Sequence, residues 1–409
     1  MKIKILKNRT VSGILLFSAI VLIFTSCNKA LPDATPIIYP PVNNTTTSIG
    51  AMLNSDTTFS FFKAAATKVG MLAQFSDTTK VFTAFIPNNS AFRASGIPSL
   101  SVVNALPPAT LGGIVGYSII AGEQYLSTTI PTTFPNIQLP TSITIGTLPG
   151  TILNLNLSTF PSVSATGFYD NNIPVVMPDL KMSNGVVHVV AAIVAPPSQL
   201  LKDAMYNNPN LTFFKAAVAR ADSGQTGLNK IDSLLGYAVT NMTVLAPSDA
   251  AFQSLLYGLI YGALLQQGLM PAQAGPTATA LSGSPTVFSN PLLFPYITAS
   301  TVRGILVYHF LATDQGAGFQ PNIRVFSNNF TSTPAFYTTL INSVVPTHPG
   351  ILAQATFTGP FVTQLQFTGL GTFPPGGAPY SGTPANAISL DNHCVNGVYY
   401  IIDQVLLPQ

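Results

Sequence analysis

Across 409 residues only 7% are charged, with 16 Lys or Arg against 13 Asp or Glu, and Glu123 is the sole glutamate. Four of the basic residues are Lys2, Lys4, Lys7 and Arg9, so the rest of the chain holds twelve basic against thirteen acidic residues and presents no basic surface for nucleic acid. The 2 cysteines, Cys27 and Cys394, exclude a disulfide scaffold, and so little charge suits an exported chain solvated by Ser, Thr, Asn and backbone better than a cytosolic enzyme.

The four basic residues precede an apolar run from about Val11 to Phe24, with Thr25-Ser26-Cys27 directly after it. This is the order of a signal peptide, and the run is short for a stable transmembrane span. It looks like a bacterial lipoprotein signal, in which a small residue precedes the Cys that is lipidated and opens the mature chain. Phe24 stands where that signal prefers Leu, and the alternative is an uncleaved anchor helix. Residues 1–27 are thus expected to be a signal peptide ending at a lipidated Cys27, and the chain to sit on the bacterial outer membrane, facing the cell surface or the periplasm. Cys394 then has no intrachain partner and reads as a small buried apolar residue. Residues 28–47, rich in Pro, Thr and Asn, read as a flexible tether; ~20 extended residues span roughly 60 to 70 Å.

Next, Phe59, Phe61, Phe62, Ala65, Val69 and Leu72 recur at helical spacing. Val81 to Phe92 reads VFTAFIPNNSAF: a short apolar run for a strand, Pro87 to end it, Asn88 as a helix N-cap, then Ala91-Phe92 in the first helical turn. Leu106 to Thr110 breaks the chain, Leu111 to Ile120 carries Tyr117, and Ile143 to Phe160 alternates Thr with aliphatic residues as strands do. Ser183-Asn184-Gly185 signals a hairpin whose Asn-Gly supplies the positive φ angles of a type I′ turn. The apolar strand from Val186 to Val194 belongs in the middle of a sheet.

Ala195-Pro196-Pro197-Ser198 leaves little slack, and the same unit then returns as Met242 to Phe252, MTVLAPSDAAF. Ser60-Phe61-Phe62-Lys63-Ala64-Ala65 aligns with Thr212-Phe213-Phe214-Lys215-Ala216-Ala217, Tyr117-Ser118 with Tyr308-His309, and Asn184-Gly185-Val186 with Asn396-Gly397-Val398. Four blocks in one order make two homologous domains, residues 48–197 and 198–409. With only Pro196-Pro197 between them, they are expected to form a semi-rigid tandem of separately folding copies. From Phe92 to Tyr117 is 25 residues, from Phe252 to Tyr308 is 56; from Tyr117 to Asn184 is 67, from Tyr308 to Asn396 is 88. The second copy therefore carries two insertions. The first, about Tyr257 to Ala299, holds a Leu- and Tyr-rich segment (Leu255 to Met270) and a Gly/Ala/Pro/Ser tract. The second, within Thr313 to Ala387, ends in Phe373-Pro374-Pro375-Gly376-Gly377, an expected exposed loop.

The pattern resembles the fasciclin domain, which is recognised by a strand ending in T-x-F-A-P-(T/S)-(N/D)-x-A-F, a Tyr-His pair, and a final N-G-V-(I/V)-H-x-I-D-x-V-L-x-P strand. The second copy keeps Ala246-Pro247-Ser248-Asp249-Ala250-Ala251-Phe252, Tyr308-His309, and Asn396-Gly397-Val398 through Asp403 to Pro408. The first has Ser118 in place of the His and Ala191 in place of the Asp. The resemblance implies an α+β fold of two tandem fasciclin-like domains, each a β-sandwich or wedge with packed helices. It also implies cell adhesion or matrix contact. The expected partners are a protein or polysaccharide of the matrix or cell surface, and the membrane through the N-terminal lipid anchor. The alternative is a carbohydrate-binding accessory lipoprotein of a glycan uptake system, whose mark would be exposed aromatic rings above a polar groove.

Enzyme chemistry finds no motif here: acidic residues are scattered, and no H-E-x-x-H, C-x-x-C, nucleophile elbow or P-loop occurs among His188, His309, His348, His393 and their neighbours. No cofactor or metal is expected. Asp391, His393 and Cys394 are the one cluster with ligand chemistry, and strand alternation sends His393 and Cys394 to opposite faces. Tyr308-His309 reads two ways, as the adhesion pair that the resemblance implies or as core residues satisfying backbone groups. For binding, Phe373 and Tyr380 are the candidates in the Pro/Gly loop, with Tyr257, Tyr261, Phe288, Phe294 and Tyr296 either a ligand platform or core of the insertions.

Overall fold

The computed structural model describes residues 45–147, 151–314, 318–372 and 375–409. Cys27 and Phe373 lie outside them. In the first copy, helices α1 (Ile49–Ser55) and α2 (Ser60–Lys68) lead to strand β1 (Phe82–Pro87). Helices α3 (Asn89–Ala94), α4 (Leu100–Ala105) and α5 (Pro108–Tyr117) come next. The strands that close it are β2 (Ile119–Ala121), β3 (Leu139–Thr147), β4 (Asn154–Thr159), β5 (Pro161–Ser164), β6 (Gly167–Asp170), β7 (Ile173–Met182) and β8 (Gly185–Val190). The second copy runs α6 (Leu201–Tyr206), α7 (Thr212–Ala221), α8 (Ile231–Gly236), β9 (Met242–Pro247), α9 (Asp249–Gln266), α10 (Pro271–Ser282), α11 (Ala299–Tyr308) and β10 (Phe310–Leu311). It ends in β11 (Ala335–Tyr337), β12 (Ile351–Thr358), β13 (Phe361–Thr368), β14 (Ala385–Cys394) and β15 (Gly397–Ile402). The fold is α+β in both halves.

The repeated motif does the same work twice. Strand β1 stops at Pro87 and Asn88 caps α3, its Oδ1 accepting from the Ala91 amide at 2.9 Å; Ser248 caps α9 from the Ala251 amide at 3.2 Å. One residue on, Asn89 Oδ1 accepts from the Phe61 amide at 3.0 Å and Asp249 Oδ1 from the Phe213 amide at 2.9 Å, tying each capped helix to the helix before the strand. The sheets run β2-β1-β8-β7-β6-β5 and β10-β9-β15-β14-β13-β12-β11. In each, the last strand slots in parallel beside the first, Phe82 opposite Gly185 and Met242 opposite Gly397.

Both central strands are buried along their whole length, so alternate residues feed two cores. In the first copy Ala84, Ile86, Val187 and Val189 meet the helices, while Phe85 and Val190 meet Tyr117 and the β3-β4 hairpin. In the second copy Val244, Ala246 and Ile401 face helices, and Leu245, Val398 and Tyr400 face the opposite layer. The Gly/Ala/Pro/Ser tract of the first insertion becomes α10, with Pro271 at its start and Pro276 inside it, packed on α9.

Two expectations need correction. The closing hairpins form, yet Asn184 is not at positive φ and Met182 pairs directly with Gly185, so the turn is not type I′. The glycines are needed for space: a Cβ on Gly185 would lie 1.9 Å from the Phe82 carbonyl oxygen, and one on Gly397 2.3 Å from that of Met242. The asparagines are needed for their amides. Asn396 accepts from the Leu201 amide at 2.8 Å and donates to the Leu235 and Tyr237 carbonyls at 2.9 and 3.1 Å; Asn184 does the same for Ile49, Phe75 and Asp77.

The second correction is that far more than Pro196-Pro197 joins the copies. Phe160 of the first copy is 2% exposed within the second copy's core, 6.1 Å from the Phe326 ring. The amides of Asn136 and Asn329 bond each other in both directions at 3.0 and 3.1 Å, and Tyr169 donates to the Pro360 carbonyl at 2.8 Å. The linker is short, but the two halves are held by a shared apolar seam ringed with amides.

Candidate binding site

Tyr308 and His309 sit where α11 turns into β10, and both are fully buried. The Tyr308 hydroxyl donates to the Gly350 carbonyl at 2.6 Å and accepts from the Leu370 amide at 3.0 Å. His309 donates from Nδ1 to the Ile305 carbonyl at 2.8 Å and accepts at Nε2 from the Leu406 amide at 3.0 Å, which fixes a neutral ring. Burial pushes its pKa down to about 4. In the first copy Ser118 makes the same bond one helical turn back, donating to the Ile114 carbonyl at 2.9 Å, without the reach to the last strand. His188 and His348 likewise each bridge a carbonyl and an amide. These are staples for backbone groups, and His188 and His309 are fully buried.

Tyr380 is half-buried, donates to the same Gly350 carbonyl at 2.9 Å, and meets the Phe336 ring edge-on at 5.1 Å. Of the other rings, Phe288 is core, Phe294 lies 3.6 Å under the Arg220 guanidinium, and Tyr257 stacks on Tyr261 at 5.7 Å. Tyr296 is 54% exposed, and its hydroxyl accepts from Gln267 at 2.6 Å. Among the described candidates, Phe288 and Tyr296 line one small apolar hollow together, while Tyr380 packs on Phe336.

Asp391, His393 and Cys394 part company as strand alternation requires. Cys394 enters the helix-side core, where burial pushes its thiol up to about 12. His393 Nε2 accepts from Arg324 at 2.7 Å, and burial first, the guanidinium second, hold the ring neutral. Arg324 is itself buried, donating to Asn241 and to the Val395 carbonyl while its flat face lies 4.5 Å over Phe160. Asp391 accepts from the Ser327 amide at 2.7 Å, Tyr400 at 2.8 Å and Asn172 of the other copy at 3.2 Å. Among the described residues no group of three His, Cys, Asp or Glu could hold a metal ion.

What Asp391 holds in place is the short turn Ser327–Asn329, and that turn floors a cleft between the copies. The cleft has about 570 Å³ of space. The first copy lines it with residues 131–134, Asn136 and residues 162–166; the second with residues 312–314, 328–333, 335–338 and Phe357. Just over half of the lining residues carry a hydroxyl or amide side chain, and Phe134, Phe330, Phe336, Tyr337 and Phe357 add apolar surface among them. Asn328 is 4% exposed; its Nδ2 donates to Ser162 at 3.1 Å, and its Oδ1 is buried with no partner. Phe336 is 60% exposed at the rim and braced by Tyr380. Sequence reasoning looked for aromatic loops within one copy and missed this site. The signal was there in two polar stretches that each carry a Phe, Thr132-Thr133-Phe134-Pro135-Asn136 and Asn328-Asn329-Phe330-Thr331-Ser332-Thr333.

Residues 57–196 match the Fasciclin domain family model. Among solved structures, a FAS1 domain pair from the insect cell adhesion molecule Fasciclin I is similar at 14% identity, covering 85% of this chain and 96% of that one, with a TM-score of 0.31. No curated protein matches the chain.

Proposed function

From a chain whose residues 57–196 form a fasciclin domain, we propose a lipid-anchored adhesion or interaction protein that holds a macromolecule of the matrix or cell surface in the cleft between its two copies. The observation that carries this reading is that the cleft is lined by both copies, among them Asn328, whose buried Oδ1 has no partner. Binding rather than catalysis fits a lining of hydroxyls, amides and rings in which Asp314 is the one carboxylate and no His, Lys or Arg occurs. Cys27 supplies the outer-membrane anchor in this reading, and the tether carries the domains clear of the lipid.

Cells bearing the full chain should retain components of a panel of matrix proteins and polysaccharides that cells lacking it do not. Ala165→Trp fills the cleft from an exposed position and should lower that retention at least tenfold at unchanged Tm. Equal retention by the variant would place the site elsewhere. Cys27→Ser should lose lipid labelling and be released or stay unprocessed; labelling that persists would remove the anchor from the reading.

A further inference from the structure

We infer that the ligand of the cleft is an uncharged polysaccharide, clasped as a short stretch of chain by both copies. This rests on the cleft being the binding site. The first argument is size. About 570 Å³ lies in the range of roughly 300–1,000 Å³ typical of sites for small ligands, whereas a protein partner needs about 800 Å² of surface on each side. A segment of a polymer fits such a space, and a folded partner does not.

The second argument is charge. The residues lining the cleft include no Lys, Arg or His, and Asp314 is their one charged side chain. A polyanion would enter without a counter-charge and against that carboxylate, and a cationic peptide would find one exposed partner. Hydroxyls and amides, by contrast, both donate and accept, as a sugar's hydroxyls do. Asn328, in the same lining, adds a buried Oδ1 that lacks a donor.

The third argument is the pairing of that polar floor with rings. A pyranose carries its hydroxyls around the edge and apolar C–H groups on its faces, so it is held best where an aromatic ring stands beside hydrogen-bonding groups. Phe336 meets this need: it is 60% exposed, meets the Tyr380 ring edge-on, and lines the same cleft as the amide and hydroxyl side chains. Because the Asn136–Asn329 amide pair crosses between copies at this place, the ligand would meet both halves at once.

The full-length protein is titrated calorimetrically with a β-glucan, an α-mannan and a xylan as neutral probes, with alginate as a polyanion, and with a set of matrix proteins. At least one neutral glycan should bind, with affinity unchanged between 0.05 and 0.5 M salt. Phe336→Ala should weaken it at least tenfold, and Ala165→Trp should abolish it, both at unchanged Tm. If alginate or a protein binds instead and Ala165→Trp removes it, the ligand class is overturned and the cleft stands. If a glycan binds equally well to Ala165→Trp, the cleft reading itself fails. Binding by none of the probes overturns the inference.

Discussion

His309 is where adhesion and architecture compete for one residue, and its two ring nitrogens decide the matter. Each meets a backbone group, and the ring is held neutral with its pKa down at about 4. The unfolded chain would protonate this ring near 6.5, so the native state's advantage is full above 6.5 and is lost as pH falls from there to about 4. The loss should be on the order of 3 kcal/mol. His309→Ser keeps the bond that Ser118 shows is possible but leaves the Leu406 amide unmet, at a cost of roughly 1–3 kcal/mol at pH 7. Urea unfolding from pH 4 to 8 should show a shallower acid loss in the variant, with cleft binding retained per folded molecule. Asp170 acts in the opposite sense: burial raises its carboxyl to about 7, so the stability it contributes falls as pH rises from 3.8 to about 7. Asp170→Asn separates the two contributions.

At the level of the element, the chain's punctuation was legible. Pro87 and Pro247 end strands, Asn88 and Ser248 cap helices, and the Phe that follows is buried in each copy. The Asn-Gly hairpins were legible as hairpins, but their chemistry was not. Asn and Gly are the expected letters for a type I′ turn, and here they serve a buried amide and a close strand approach that only long-range neighbours reveal. The two polar stretches that wall the cleft were visible, but their pairing was not, for the same reason: they lie in different copies and neither reads as a site alone. Asn396→Ala should cost about 3 kcal/mol, because the Leu201 amide and two carbonyls lose their partner together. Gly397→Ala should cost at least as much by driving a methyl group into the Met242 carbonyl. Denaturant midpoints check both, and a loss below about 1 kcal/mol for either would show that the hairpin yields.

For the molecule as a whole, the seam around Phe160 makes each copy part of the other's interior. Phe160→Ala removes a ring from the second copy's core by changing the first, and a loss of roughly 3–5 kcal/mol is expected. Wild type should unfold in one transition seen alike by tyrosine fluorescence and far-UV dichroism. The variant, with coupling weakened, should show two. Residues 198–409 expressed alone should melt below their temperature in the full chain, and an equal Tm would mean that the seam adds nothing. The seam also bears on the proposed binding, since walls that come from two copies stay in register only if the copies do.

The order of the sheets bears on synthesis. Met242 pairs with Gly397, 155 positions later, and β15 joins β9 to β14. Until the final strand emerges, the second copy is two unjoined pieces with open edges, exposed to pairing with other chains. A chain that breaks off before Gly397 cannot close its second sheet, so β15 acts as a proofreader of synthesis: only a polypeptide that has passed it can bury those edges.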